Sequence, residues 1–233
     1  MSERSMGEFL TWQIVLRDEV HGKNAEIPQR IITVKPGFQH ENMPNEIGIL
    51  LPGNEGPAAL IDAVVAAPSL VEGAVMGIFL ASPFLRVDLD APRLRQAGID
   101  WIANLPSVGQ YGKEFSEQLE EVGLGLESEL SALAQYKERE FSVAAVVVDE
   151  QGACAAAKLL PQAMIVMPSV TDFAAVFPSL NQRGNAVQAI STALAEDVWD
   201  GLLLCLGDPG EVAHPRQWPT GADGLVIRPS VDL

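Results

Sequence analysis

Residues 98–139, GIDWIANLPSVGQYGKEFSEQLEEVGLGLESELSALAQYKER, decide how this chain is read. The stretch opens with an apolar run from Ile99 to Ala103 and breaks at Asn104-Leu105-Pro106-Ser107-Val108-Gly109. It closes on a long segment whose apolar residues return every three or four positions. A short apolar run followed by a segment of helical period predicts a buried strand and then a helix, one βα unit. Phe115, Leu119, Val122, Leu126, Leu130 and Leu133 mark the helix face expected to lie against a sheet. Gly123 and Gly125 interrupt that face and predict a kink or two abutting helices, since glycine is a poor helix former. The turn holds more Asn, Pro and Gly than a plain crossover needs, which predicts a backbone shaped for a ligand at the strand's carboxyl end. An ordinary surface turn has the same composition, and that reading stands beside the first.

Working outward, similar apolar runs recur at Thr11 to Leu16, Arg30 to Val34, Val75 to Ala81, Phe141 to Val148, Ala163 to Met167, Gly201 to Leu206 and Leu225 to Ile227. Most are followed by a helical stretch: AALIDAVVAAPSLVEG, stopped near Pro68, then DLDAPRLRQAG, EQGACAAAKLLPQ and NAVQAISTALAEDVW. That alternation predicts a parallel sheet, and eight repeats of it predict an α/β (β/α)₈ TIM barrel over residues 1–233 as one domain. A doubly wound open sheet is the alternative, but it would be expected to carry a dinucleotide or phosphate-loop signature, and the sequence has neither. No helical segment follows the eighth strand. A neighbouring subunit or the N-terminal segment is expected to cover that flank, so a homo-oligomer is the expectation.

Apolar residues make up 48% and charged residues 20%, the balance of a globular chain with a sizeable core. The net charge of −16 repels phosphate backbones and anionic lipid, which argues against nucleic-acid and membrane-surface partners. A local pocket can still invert the field for a small anionic molecule. Cys154 and Cys205 lie in apolar segments without metal-ligand spacing and read as buried thiols. With no apolar run of membrane-spanning length and no signal core in MSERSMGEF, a cytoplasmic protein is expected.

The central half, from Ile47 to about Ser169, resembles the phosphoenolpyruvate-hydrolase-like TIM-barrel proteins. The resemblance rests on IGILLPGNEGPAALIDAV with VMGIFLASPF, on the Asn104-Leu105-Pro106-Ser107-Val108-Gly109 turn, and on Leu119-Glu120-Glu121-Val122-Gly123-Leu124-Gly125. It implies a phosphoenolpyruvate/pyruvate-type barrel. The activity it implies is a hydrolase or a C–C or C–P lyase acting on a small oxo-acid or phosphorylated carboxylate. The chain departs from the family pattern at three strand ends. Ser82-Pro83-Phe84 stands for Asp-Pro-Phe, Pro168-Ser169-Val170 for His-Met-Gly, and Leu206-Gly207-Asp208-Pro209 for His-Gly-Gly-Pro. These departures remove a carboxylate and two imidazoles, the groups best suited to proton transfer or metal binding. A catalytically degenerate barrel that binds a ligand or a protein, or serves as a structural subunit, is therefore the alternative.

Reactive groups of such barrels sit at the carboxyl ends of strands. Three residues are the catalytic candidates. Asn104 has an amide that can hold a carboxylate or enolate oxygen and lies where the resemblance points. Asp149 is a carboxylate suited to a proton or to Mg²⁺, and Glu120 could reach the site through the kink near Gly123. Lys35 and Arg228 are candidates for the anion of a substrate, with Ser82, Ser107 and Ser230 as further binding groups. The bland reading of each is a turn residue or a solvated charge. Consecutive Glu120 and Glu121 point about 100° apart on a helix and cannot face each other as a pair. His21, His40 and His214 show no ligand spacing.

Overall fold

The computed structural model describes residues 10–17, 29–35, 44–50, 56–173, 177–214 and 218–229. Eight parallel strands close into a ring in sequence order: β1 Leu10–Leu16, β2 Gln29–Thr33, β3 Val75–Gly77, β4 Trp101–Ala103, β5 Ser142–Val147, β6 Ala163–Val166, β7 Leu202–Gly207 and β8 Gly224–Ile227. β8 pairs with β1 through registers such as Trp12 with Val226, so the ring has no free edge. The TIM barrel read from the alternation is the fold observed, and each predicted strand lies within a few residues of an observed one.

Side chains alternate across this ring and divide the core in two. Trp12, Ile14, Leu16, Ile31, Val75, Ala103, Ala144, Val146, Ile165, Leu204 and Val226 fill the interior. The residues between them, among them Val15, Ile32, Met76, Ile102, Val143, Ala145, Val147, Cys205 and Leu225, pack beneath the helices. Small residues on some strands leave room for large ones on others. The Trp12 indole of β1 meets that of Trp101 on β4 across the ring, edge to face at 5.6 Å. Gly77 ends β3 where a Cβ would lie 3.1 Å from both Thr33 Cβ and the Leu105 carbonyl oxygen, so the missing side chain lets Leu105 turn inward.

The outer layer comprises α1 Asn45–Gly48, α2 Pro57–Ala66, α3 Pro68–Val71, α4 Val87–Gln96, α5 Lys113–Glu121, α6 Leu126–Glu138, α7 Glu150–Ala157, α8 Val170–Phe173 and α9 Leu180–Ala193. The long segment after β4 is two helices, α5 and α6, parted at Gly123 with φ of 72°, a left-handed turn that glycine adopts without strain. The predicted face holds on α6, where Leu133 is fully buried. It fails on α5, which buries no residue and leaves Phe115 47% and, just past its end, Val122 68% exposed. Period alone makes a helix amphipathic, but covering the apolar face needs a neighbour, and α5 stands over the carboxyl rim rather than against the sheet. α9 begins earlier than its periodicity suggests, at a capping box of Ser179 and Gln182.

Candidate functional site at the carboxyl rim

Two groups of polar side chains occupy the carboxyl ends of the strands. The first lies beside β4 and β5. Asn104 follows Ala103 and, by alternation, turns outward beneath α6, fully buried. Its Oδ1 accepts the Val146 N–H at 2.7 Å, and its Nδ2 donates to the Val146 carbonyl at 3.3 Å and to Glu129 Oε2 at 3.1 Å. The same Glu129 oxygen accepts Ser107 Oγ–H at 2.7 Å, and Oε1 accepts the Val108 N–H at 2.9 Å. Asn104 thus staples β4 to β5, and Glu129 staples α6 to the loop after β4. The Leu105–Pro106 peptide in that loop is cis.

Among the described residues no cation faces the Glu129 carboxylate. Burial pushes its pKa up to about 7, against the opposing pull of the hydrogen bonds from Ser107, Asn104 and Val108. The Tyr111 hydroxyl is pushed up to about 12, first by burial and then by the charge of Glu129. Its ring joins Phe79 at 6.2 Å to Phe115 at 5.4 Å.

Next to this staple a cleft of about 970 Å³ opens along the outside of the barrel, walled by α6 and α7 and floored by Val146, Val147 and Val148. Three of the candidate residues line it: Ser107, Glu120 and Asp149. Asp149 caps α7, its Oδ1 accepting the Gly152 N–H at 2.7 Å. Glu120 curls back over Gly125 at the start of α6, where a Cβ would collide with its carboxylate. There its charge complements the positive end of that helix. Ser169, at the end of β6, is tied through its Oγ and N–H to Asp172 at 2.7 and 2.8 Å.

The second group lies across the rim, beside β7 and β8. Arg228 pairs with the fully buried Glu46 of α1, Nε to Oε1 at 2.6 Å and Nη2 to Oε2 at 3.1 Å. Arg183 of α9, its side chain 3% exposed, binds both Glu211 oxygens at 2.5 and 3.0 Å and donates to the carbonyls of Leu206 at 2.6 Å and Pro178 at 3.0 Å. Both guanidiniums lie over the Phe177 ring, at 4.5 and 4.7 Å. Burial raises the Glu46 pKa, and the Arg228 charge only partly offsets the rise. Asp208 is drawn into the local turn, accepting the Gly210 N–H at 3.0 Å.

Ser107, Asp149 and Glu120 therefore come together on one cleft, whereas Asn104 lies behind it with every polar atom engaged by protein. Arg228 stands on the far side of the rim and is held by Glu46. Lys35 is exposed just past β2, and Ser82 sits in the turn after β3, accepting the Phe84 N–H at 3.4 Å. Ser230, His21 and His40 lie outside the described residues. Among the described residues no group of three or more His, Cys, Asp or Glu side chains is placed to hold a metal, and no helix is long and apolar enough to cross a membrane.

Glu129, Glu46, Arg183 and Glu211 escaped the sequence reading. For two of them a signal exists. Glu129 stands three residues after Leu126 and four before Leu133, and Arg183 stands four before Val187 in line with Ile190 and Leu194. A charge inside an apolar stripe of helical period marks a buried ionic group.

Known proteins resemble this chain in sequence or in fold. The ToMV resistance protein Tm-1(GCR237) and the ToMV susceptible protein tm-1(GCR26) of Solanum lycopersicum are each 31% identical to the chain over 186 residues. The aligned part is 76% of this chain and 25% of theirs, so the chain spans about a quarter of the length of these relatives. The tryptophan synthase alpha chain of Legionella pneumophila subsp. pneumophila superposes with a TM-score of 0.59 over 95% of this chain and 79% of its own, at 9% identity, which is a likeness of fold. The sequence pattern of the family described as phosphoenolpyruvate hydrolase-like matches residues 60–220, from within α2 to the turn before β8, the Asn104 turn and the Glu120 to Gly125 segment included. The chain belongs to the phosphoenolpyruvate hydrolase-like family.

Proposed function

We propose that this barrel is a binding module whose strand-end charges serve the fold, and that the rim cleft between β4 and β6 is where it binds. One observation carries the reading: the two guanidiniums at the mouth are already spent on carboxylates. Arg228 and Arg183, the cations best placed to receive a carboxylate or phosphate, are each gripped by both oxygens of a glutamate. The interior beneath them is closed by apolar side chains, including Leu105, Met167, Ile49 and Phe173. A substrate anion would have to displace Glu46 or Glu211 and leave that carboxylate buried without its partner, which is costly. The relatives are named for virus resistance and susceptibility, not for a reaction, and this accords with binding.

The test uses the full chain with phosphoenolpyruvate, pyruvate and other small oxo-acids, with and without Mg²⁺. NMR follows turnover and the thermal midpoint follows binding. The expected result is no product. Turnover of any of these compounds overturns the reading.

A hydrolase or lyase acting on an oxo-acid or phosphorylated carboxylate is the second reading, and one observation favours it. Ser107 lines the cleft while donating to Glu129, a carboxylate whose pKa of about 7 suits a general base. On this reading Glu129 is the base, with Asn104 and Ser107 positioning it, and any turnover must be lost in Glu129→Gln.

A further inference from the structure

The cleft joins an apolar trough to an acidic rim. Leu126, Leu130 and Ala134 follow one another at four-residue intervals along the α6 wall, a stripe of about 12 Å at 1.5 Å per residue. Ala155 and Leu159 face it from the side of α7. At its far end the trough is tied shut: Lys137 at the end of α6 donates to the carbonyls of Leu159 and Leu160, at 2.5 and 2.7 Å. Towards the mouth, Glu117, Glu120, Glu127, Asp149 and Asp172 line the same cleft, against two cations, Lys113 and Lys158, and Lys113 leans on Glu117 at 3.9 Å.

These features select a ligand by exclusion. A phosphorylated carboxylate meets five carboxylates. A small oxo-acid fills a small part of about 970 Å³, a volume near the upper end for organic-ligand pockets. A second copy of this chain would bring another −16 charge. What matches an elongated apolar stripe about two turns long beneath an acidic edge is a rod with one apolar face and cationic flanks.

We propose that the cleft between α6 and α7 docks a basic amphipathic helix of another protein. Its leucine-type face lies in the Leu126–Leu130–Ala134 trough and its Lys or Arg residues meet Glu117, Glu120, Glu127, Asp149 and Asp172. The long-range field of an acidic protein speeds the encounter, and burial of the apolar face holds the complex. This inference rests on the binding reading of the barrel and adds the class of partner.

The probe is a fluorescein-labelled synthetic peptide of about 16 residues, with leucines at helical spacing on one face and lysines elsewhere. Anisotropy titration against the full chain is expected to show saturable binding that weakens as salt is raised. Ala155→Trp, which fills the trough from α7, is expected to weaken binding about tenfold or more without lowering the thermal midpoint. Ser131→Trp does the same from α6 and serves if the first variant is unstable. Val198→Lys, on the exposed surface, leaves binding unchanged. The proposal is overturned if a scrambled peptide of the same composition binds as well, or if both tryptophan variants bind the peptide like wild type. It is also overturned if sedimentation shows that the wild-type chain is a dimer which Ala155→Trp dissociates, since the occupant is then a second copy. Absence of peptide binding together with absence of turnover removes this inference and leaves the binding reading; turnover of an oxo-acid removes that reading whatever the peptide does.

Discussion

The two sides of the carboxyl rim bury charge by opposite means. Beside β4 and β5, Glu129 is fully buried against three neutral donors, Ser107, Asn104 and the Val108 N–H. Beside β7 and β8, the buried Arg183 and the half-buried Arg228 are held against the carboxylates of Glu211 and Glu46. A carboxylate given only neutral donors escapes part of its desolvation cost by taking up a proton, so its pKa climbs. A guanidinium cannot give up its proton in a protein, so its burial demands an anion and carbonyls in fixed geometry. One side is therefore a titratable staple next to an open cleft, and the other an ionic lock whose cations cannot discharge.

The strongest test breaks the lock. Arg183→Met keeps much of the side chain's bulk but strands Glu211 and the carbonyls of Leu206 and Pro178. Loss of one partner of a buried pair costs about 3–5 kcal/mol, and Glu211, itself 26% exposed, places the expected loss at the low end. Urea denaturation measures it. A loss under about 1 kcal/mol would mean that the pair is no more than a surface contact.

A smaller effect sharpens the other side. The Glu129 carboxyl titrates near its ordinary value of 4.5 in the unfolded chain and at about 7 in the folded one. Between those values the folded state holds the extra proton, so its contribution to stability falls as pH rises and is fully lost above about 7. From pH 5 to pH 8 this amounts to roughly 2–3 kcal/mol. Subtracting the stability curve of Glu129→Gln from that of wild type should leave a difference that falls with pH across this window. A flat difference would mean that the carboxyl titrates normally.

The smallest effect concerns the cleft wall. Asp149→Ala removes the cap of α7 and is expected to cost about 1 kcal/mol, read from the urea midpoint. Asp149→Asn restores the cap and the stability but removes one charge of the acidic edge, so peptide binding is expected to weaken about twofold or more. Binding equal to wild type in the stable Asn variant would make Asp149 a cap and nothing more.

Much of the ring could be read one residue at a time. Apolar runs such as Phe141 to Val148, each followed by a helical period, name a strand and its covering helix without reference to the rest of the chain. The βα turn after β4 was legible as unusual in the same way. Asn104 shows where such reading stops. An amide at a strand end is a plausible ligand-holder until the pleat turns it outward and Val146, 42 positions away, takes both its oxygen and its nitrogen. Arg228 and Glu46, 182 positions apart, form a pair that no local pattern could announce. Local readings also mistook α5, whose amphipathic spacing is correct but whose apolar face meets no sheet.

By itself the sequence determined the period of every main element, the closure of eight strands into one parallel ring, and family membership through the turn and helix after β4. Those properties follow from side-chain spacing and turn chemistry, which act between near neighbours in the chain. Only the tertiary structure decided which charges neutralise one another, which carboxyl stands without a cation, and that α6 and α7 part to leave a cleft. Coulomb forces and desolvation act through space, so they answer to neighbours that closing the ring brings together from distant parts of the chain.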